Sequence, residues 1–338
     1  MLVQSPRRSR GGEVEVVTAA SRKRRGWLSV RVAAYVGLTA ASALYGARHV
    51  RRRYGRPPRR PRPVQPPAPG ALDVRLTAAN GLTLRGWFIS VPEAEGARPA
   101  ALVMHGWGGS AADMAQLADA LLAAGTHVLL LDARCHGRSD DDEFVSMPRF
   151  AEDVETGLTW LRQRGDVDRA RIVLVGHSVG AGACLLVASR DSSVAAVVSI
   201  ASMAHPEVFM TRTLGKRLPG PLTTLALRYI ERTIGLRFET FAPVRTIGRI
   251  KAPVLVVHGD RDTTVPVADA YELHAQAPER TQLVIVEGAG HASIAAFIEE
   301  ITPAINEFLR AAGVTAAPDS GATRDRKRPP SEINCAAD

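Results

Sequence analysis

Cysteine is scarce in this chain, and the cysteines it has are not spaced for any structure that depends on them. Cys135, Cys184 and Cys335 are odd in number and scattered along 338 residues, which excludes a disulfide framework and favours a reducing compartment. No Cys/His spacing of a zinc site occurs, and the acidic run at 140–143 is typical of a solvated loop. We therefore expect neither a metal nor another cofactor.

Acidic residues are almost missing from the first 69 positions. This segment contains 16 Lys and Arg residues against Glu13 and Glu15, a net charge of +14, so the remaining chain has a net charge of −5 within the total of +9. The basic character of the whole sequence therefore comes from its first segment. A high isoelectric point of that origin does not indicate a nucleic-acid-binding protein.

A mostly apolar stretch at 27–47 lies between basic clusters at 22–25 and 48–62. As a helix its uncharged part, 32–47, is about 24 Å long, short of the ~30 Å hydrocarbon core of a membrane, and residues 27–31 make it long enough if Arg31 reaches the head groups. We predict a basic disordered tail at 1–25, a membrane-anchor helix at 26–47 and an extended Arg/Pro-rich linker at 48–71. The larger number of arginines after the stretch favours a cytoplasmic catalytic domain.

Two other interpretations of this stretch remain open. A cleaved signal peptide is one, although the arginines that follow the stretch are unfavourable for export. A basic arm bound to the surface of anionic lipid is the other.

From 72 to 312 the sequence alternates between apolar runs and amphipathic stretches, and the tail at 313–338 is polar and predicted to be disordered. Runs at 72–78 and 82–90 predict an antiparallel pair joined by a turn at Asn80 and Gly81. The alternation beyond residue 100 predicts an α/β fold, with a mostly parallel sheet covered by helices on both faces. The runs are at 101–105, 127–132, 172–176, 194–201, 254–258 and 282–287, and the amphipathic stretches at 111–124, 147–164, 180–189, 266–276 and 292–311.

The apolar run at 172–176 ends in Gly176-His-Ser178-Val-Gly180. A sharp turn from strand to helix leaves room only for glycine on either side of the serine, and it pushes the serine hydroxyl outward. Because a serine hydroxyl is a poor nucleophile near neutral pH, it needs a base and a group that orients the base. We predict Ser178 as the nucleophile.

A candidate base and a candidate acid follow two later runs. His291 lies in a glycine-rich loop after 282–287, and Asp262 lies in a turn-rich loop after 254–258. Asp260 is the alternative acid, and the spacing to Val265 and Pro266 favours Asp262. We predict the triad Ser178, Asp262 and His291, with the backbone N–H groups of Trp107 and Val179 as the oxyanion hole.

Five motifs together resemble the α/β-hydrolase superfamily over about 72–312, in particular its Ser-His-Asp branch of serine aminopeptidase-like and monoacylglycerol-lipase-like hydrolases. The order Ser, Asp, His along the chain is the one expected of that superfamily. Cys135 departs from the pattern, since this branch usually has glycine there. The motifs are His105-Gly-Trp-Gly-Gly109, Asp132-Ala-Arg-Cys-His136-Gly-Arg-Ser139, Gly176-His-Ser-Val-Gly180, His258-Gly-Asp-Arg-Asp262-Thr-Thr-Val-Pro266 and Gly288-Ala-Gly-His291.

Residues 205–250 form an irregular insertion that the resemblance predicts to be a short helical cap over the pocket. A pair of additional packing helices is the alternative. We expect Phe209 and Tyr229 of the insertion to bind substrate together with Trp107 and His177. A cap of this size favours a small or medium acyl or amide substrate over a folded protein.

Other polar residues of the motifs are expected to have structural roles. His105, His136, His177 and His258 are predicted to brace loops through hydrogen bonds. Asp132 is predicted to be a structural carboxylate at the end of a strand, because the nucleophile position already holds a serine.

The sequence thus predicts a serine hydrolase that cleaves a small carboxylic ester through an acyl-enzyme, associated with a membrane through its N-terminal segment. An amidase or peptidase, or an acyltransferase, is possible with the same triad. A non-catalytic, membrane-tethered binding protein is the alternative of a different class.

Overall fold

The computed structural model describes the ranges 55–58, 65–92, 96–291 and 294–315, together with isolated helical positions at 35, 37, 42, 45, 46 and 48. The chain divides into two compact units, 1–56 and 57–338. The predicted tail at 1–25, most of the predicted anchor at 26–47 and residues 316–338 lie outside the described residues. Among the described positions, no helix combines the length and the apolar character needed to cross a membrane.

One eight-stranded sheet organises the second unit, with the strand order β1-β2-β4-β3-β5-β6-β7-β8. The first two strands pair antiparallel, as the sequence predicts, and β2 pairs antiparallel with β4. Every other neighbouring pair is parallel. The strands are β1 (Leu72–Thr77), β2 (Thr83–Ile89), β3 (Arg98–Met104), β4 (His127–Asp132), β5 (Val167–His177), β6 (Ala196–Ile200), β7 (Val254–Gly259) and β8 (Thr281–Val286).

Helices cover both faces of the sheet and bury its apolar side chains. Alternate residues of the central strands, such as Val103 and Val175, pack with α1 and α9 into one core. On the other face α2 approaches the sheet so closely that a side chain at Gly157 would meet Leu102 and Leu131. The helices are α1 (Ala115–Ala123), α2 (Met147–Arg162), α3 (Val179–Ala188), α8 (Ala268–Gln276) and α9 (Ile294–Ala311).

The insertion at 205–250 is helical and follows β6. It contains α4 (Pro206–Gly215), α5 (Gly220–Ile234) and two single turns, α6 (Phe238–Phe241) and α7 (Pro243–Thr246). Helix α4 begins where the His205 side chain accepts a hydrogen bond from the amide of Glu207, and α5 ends at Gly235, whose φ of 80° suits glycine. Helices α4 and α5 pack on each other, and α7 packs on α3 and α8. Whether the insertion caps a pocket stays a prediction.

Candidate active site

The nucleophile motif forms a strained turn between β5 and α3. Ser178 has φ 55° and ψ −121°, a backbone conformation that residues other than glycine rarely adopt. A Cβ at Gly176 would lie under 3.0 Å from the backbone of Gly180 and Ala181, and a Cβ at Gly180 would lie as close to the His105 carbonyl oxygen. Both glycines are therefore required by close backbone contacts, as the sequence predicts, and they leave Ser178 at the tip of the turn.

The three predicted triad residues meet at the carboxyl edge of the sheet. Ser178 Oγ donates a hydrogen bond to His291 Nε2 at 3.0 Å. His291 Nδ1 in turn donates to Asp262 Oδ2 at 2.6 Å. This places a base against the hydroxyl and a carboxylate behind the base, which is the geometry that activates a serine.

Asp262, rather than Asp260, is the carboxylate that contacts the imidazole. Its Oδ1 accepts hydrogen bonds from the amides of Thr264 and Val265, both at 2.8 Å. Asp260 instead accepts from the amide of Gly288 at 2.7 Å and so holds the loop that leads to His291. Asp262 therefore orients the His291 ring, and Asp260 positions the backbone of the loop that carries it.

The pKa of Asp262 is lowered below the usual range of a carboxyl group. Burial opposes its ionisation, but hydrogen bonds from His258, His291 and the Val265 amide favour the charged form and outweigh burial. Asp262 is therefore ionised near neutral pH. A permanent negative charge beside His291 stabilises the imidazolium that forms when the base takes a proton.

Two histidines outside the triad contact its acid and its base. His258 Nε2 donates to the Val265 carbonyl at 2.9 Å and lies 3.4 Å from Asp262 Oδ2. His177 Nε2 donates to the carbonyl of His291 at 2.9 Å. Burial, together with the neighbouring His291, lowers the pKa of His177 to about 4. His177 is thus a neutral donor near physiological pH.

The loop after β3 lies against the nucleophile. A Cβ at Gly106 would come within 3.2 Å of the Ser178 Cβ, so the backbone next to Trp107 passes directly beside the serine. Val179 is the first residue of α3, and the N–H of a first helical residue has no acceptor within its own helix. These positions suit the predicted oxyanion hole, and the two N–H roles stay predictions.

The residues predicted to bind substrate occupy different environments. The Trp107 side chain is 42% exposed and packs edge-on to the His136 ring. Phe209 and Tyr229 lie on α4 and α5 and are half-buried. The His177 ring lies 5.2 Å from the His291 ring. The role of these four residues in substrate binding stays a prediction.

The structural roles predicted for other motif residues agree with their contacts. His105 donates from Nδ1 to the Gly106 carbonyl and accepts from the Ala133 amide at Nε2, which braces the loop after β3. His136 Nδ1 lies 2.8 Å from the Arg134 carbonyl oxygen. Asp132 is buried and accepts from the amides of Ala111 and Arg138.

Cys135 adopts the left-handed conformation that explains why glycine is usual there. Its φ is 61°, and its Sγ accepts a hydrogen bond from the Asp142 amide at 3.1 Å. Three residues of the acidic run at 140–143 are exposed, as predicted, and Asp142 is half-buried and pairs with buried Arg134. In the part of the chain that the structure describes, no cluster of His, Cys, Asp and Glu could hold a metal ion.

Sequence reasoning missed how the triad is held in place. It did not anticipate that His258 reaches the acid or that His177 reaches the backbone of the base. The position of His258 four residues before Asp262 is a signal for the first contact. Nothing local in the sequence indicates the second, which joins residues 114 positions apart.

Family models match most of the second unit. Residues 96–234 match the model described as serine aminopeptidase, S33, and residues 237–321 match that of TAP-like proteins. An uncharacterised protein of Mycobacterium tuberculosis strain H37Rv is 31% identical over 228 residues, covering 66% of this chain and 73% of its own. The alpha/beta hydrolase domain-containing protein aho-3 of Caenorhabditis elegans is 26% identical over 227 residues, covering 65% of this chain and 62% of its own.

A solved structure with a similar fold is that of an esterase from Pyrococcus furiosus. The TM-score is 0.60 at 22% sequence identity, and the match covers 76% of this chain and 97% of that one. At this identity the likeness shows the fold.

Proposed function

The chain belongs to the α/β-hydrolase superfamily and is an enzyme of the serine hydrolase type, and on that premise we propose that it cleaves carboxylic esters through an acyl-enzyme intermediate. The observation that carries this proposal is the continuous hydrogen-bond chain from Ser178 Oγ through His291 to Asp262. The strained conformation of Ser178 supports it further, because strain of this kind is retained at sites where a side chain must be presented for reaction.

In the proposed mechanism His291 first acts as a general base. Its Nε2 takes the Ser178 proton as Oγ attacks the ester carbonyl, and the ionised Asp262 stabilises the resulting imidazolium. The N–H groups of Trp107 and Val179 bind the oxygen that becomes negative in the tetrahedral intermediate. His291 then gives the proton to the departing alkoxide, which leaves the acyl group bonded to Ser178.

Water completes the cycle through the same groups. His291 takes a proton from water as the water oxygen attacks the acyl carbonyl, and it returns that proton to Ser178 Oγ as the carboxylic acid leaves. Besides the ester and water, neither half of the reaction needs a chemical group from outside the chain.

Esters are proposed ahead of amides because the two leaving groups make different demands. An alkoxide departs with less help from the acid than an amine does, so the triad and oxyanion hole alone suffice for an ester. The matching serine aminopeptidase model keeps amides as the second candidate, whereas the Pyrococcus neighbour is described as an esterase. An acyltransferase would require an acceptor that outcompetes water.

Labelling with a fluorophosphonate probe tests the nucleophile. Wild type is expected to be labelled and Ser178→Ala is not, because an activated serine oxygen attacks the phosphorus of the probe, fluoride leaves, and the serine becomes phosphonylated. Absence of labelling in folded wild type would contradict the proposal that Ser178 is a nucleophile and would favour a binding protein on the hydrolase fold. A series of p-nitrophenyl esters of increasing acyl length, set against aminoacyl amides, then compares kcat/KM for the two bond types. A higher kcat/KM for the amides would overturn the ester proposal in favour of a peptidase.

A further inference from the structure

Charge is divided unevenly between the insertion and the rest of the catalytic region. Residues 205–250 contain eight Lys and Arg against three Glu, a net charge of +5. The flanking parts of the fold, 72–204 and 251–312, contain 15 Lys and Arg against 25 Asp and Glu, a net charge of −10. A basic insertion on an acidic body directs the insertion, and no other part of this region, toward a negatively charged surface.

The same insertion exposes large aliphatic side chains. Leu222 and Leu225, one turn apart on α5, are 51% and 66% exposed, and Val208 on α4 is 52% exposed. The opposite face of α5 is buried through Thr223, Ala226 and Leu227. Helix α5 thus has apolar side chains on both its inner and its outer face, and packing inside the protein explains only the inner set.

Basic side chains lie beside the exposed leucines. Arg228 and Arg232 follow Leu225 at three and seven positions, which places them on the same outward face of α5. Arg228 forms an ion pair with Glu231, with 2.8 Å between Nη1 and Oε2. Arg232 is exposed, and no carboxylate of the described residues lies within 4.0 Å of it. Lys216 and Arg217, in the turn before α5, are exposed as well.

We propose that the outward face of α5 docks on an anionic lipid bilayer. Leu222 and Leu225 enter the boundary between head groups and acyl chains, while Arg228 and Arg232 contact lipid phosphates. A helix with aliphatic residues and arginines on one surface-facing side has the chemistry of interfacial binding. A nucleic acid would use the arginines but leave the leucines in water, and an acidic protein surface without an apolar patch would do the same.

Docking in this way places the catalytic edge of the sheet on the membrane side of the enzyme. The insertion leaves the sheet after β6, at the same edge where the amide of Ser178 bonds the carbonyl of Ile200. The consequence for substrate, which rests on the proposed function, is that acyl esters embedded in the bilayer reach Ser178 without crossing bulk water. Docking itself requires no hydrolysis and can be tested without it.

A label at one position on α5 tests the proposal in the full-length chain. Binding of the whole protein to vesicles is not informative, because residues 1–69 carry a net charge of +14. An environment-sensitive NBD dye is therefore attached at Leu225→Cys in a protein that also carries Cys335→Ser and Ser178→Ala. Cys135 and Cys184 are buried and do not compete for the dye. The matched control is Tyr271→Cys on α8, which is 53% exposed on the acidic body.

The dye at 225 is expected to shift its emission to the blue and brighten on phosphatidylcholine/phosphatidylglycerol vesicles, and to do so much less on phosphatidylcholine alone. The dye at 271 stays unshifted on both. In the protein labelled at 225, Leu222→Ser is expected to lower the partition constant about three- to tenfold. Arg232→Gln lowers it about fivefold, whereas Arg75→Gln on β1 leaves it unchanged.

Three results would overturn the proposal. An unshifted dye at 225 on vesicles to which the protein binds means that the N-terminal segment carries the binding. Equal shifts at 225 and 271 mean that the dye itself drives insertion. The dye is also tested at 222, in a separate cysteine variant. If it is unshifted at both 222 and 225, and if RNA or an acidic protein binds saturably and Arg232→Gln weakens that binding, the outward face of α5 binds a different partner. Because the labelled protein carries Ser178→Ala, none of these outcomes depends on whether the chain hydrolyses esters.

Discussion

The orientation of Asp262 depends on four hydrogen-bonding groups that come from three short stretches of chain. Two backbone amides hold one oxygen, and His291 and His258 face the other. His258 is 1% exposed, so no water replaces its N–H if the ring is removed. His258 is therefore expected to act as a positioning residue for the acid rather than to touch substrate.

Replacing His258 separates positioning from simple packing. His258→Leu should lower kcat about tenfold with little change in KM, because it removes the N–H that the Val265 carbonyl accepts and that lies 3.4 Å from the Asp262 carboxylate, and one hydrogen bond contributes about 0.5–1.5 kcal/mol. It should also raise the pKa of Asp262, because the neighbouring His258 favours the charged carboxylate. His258→Gln, which can present an N–H at a similar distance, should recover most of kcat. Equal activity of the Leu and Gln variants, at equal thermal stability, would contradict this role.

The neutral state of His177 makes the stability of the protein depend on pH. Its pKa falls from 6.5 to about 4 on folding, so between these values the unfolded chain binds a proton that the folded chain does not. The free energy of unfolding should therefore decrease as the pH is lowered from 6.5 to 4, by about 3 kcal/mol at most from this residue. Chemical denaturation at a series of pH values measures it.

His177→Gln is the matched variant for that measurement. Its side-chain amide can still donate to the carbonyl of His291 but does not titrate. The variant should show a smaller loss of stability between pH 6.5 and 4 than wild type, while other groups contribute equally to both. Parallel curves for the two proteins would show that His177 does not titrate in this range.

At the scale of elements, the nucleophile turn depends on how closely α3 approaches β3. A Cβ at Gly180 would press on the carbonyl oxygens of His105 and Met104, which are backbone atoms of a central strand and its loop. A Cβ at Gly182, two residues further along α3, would instead meet the flexible end of the Met147 side chain. The two positions differ in whether the neighbour can move.

Alanine at these two glycines should have unequal effects. Gly180→Ala is expected to cost about 1–3 kcal/mol of stability through overpacking and to abolish most activity, because α3 and Ser178 must shift away from the loop after β3. Gly182→Ala should keep activity and change stability by less than about 1 kcal/mol, since Met147 can change rotamer. Unfolding midpoints and kcat for a p-nitrophenyl ester compare them. Equal loss of kcat in both variants would contradict a specific requirement at 180.

Most elements could be predicted from apolar runs because strands of a parallel sheet are buried on both faces. The start of β5 could not. The strand begins at Val167, but Asp168, Arg169 and Arg171 interrupt the apolar pattern before Ile172. The bounds of helix α4 within the predicted helical insertion could not be predicted either, since Pro206–Gly215 lacks a strong apolar period and its start depends on the side chain of His205.

In the candidate site, too, some features could be predicted from the sequence and others could not. Ser178, Asp262 and His291 could be predicted because each lies in a local motif at the end of a strand. His258 and His177 hold these residues through contacts that depend on which strands become neighbours. The order of strands in the sheet cannot be predicted from any single segment of the sequence.

At the scale of the whole molecule, the sheet and the buried core of the described residues lie after residue 56. All eight strands fall between Leu72 and Val286, and the buried hydrophobic residues of the described chain run from Val74 to Val314. Residues 1–56 carry a net charge of +11, so a chain of 57–338 has a net charge of −2 within the total of +9. Removing the first segment thus reverses the sign of the net charge and removes none of the buried hydrophobic residues of the described chain.

A protein consisting of residues 57–338 is therefore expected to fold and to hydrolyse a water-soluble ester with kcat/KM close to that of the full chain. Its unfolding temperature should change by less than about 4 °C, which for a domain of this size corresponds to about 1 kcal/mol. Its binding to anionic vesicles should weaken but remain sensitive to Leu222→Ser, because the insertion still carries its own charge of +5. Scanning calorimetry, ester kinetics and vesicle sedimentation measure the three properties. A large loss of unfolding temperature would show that the first segment is part of the fold, and vesicle binding that no longer responds to Leu222→Ser would leave membrane contact to that segment alone.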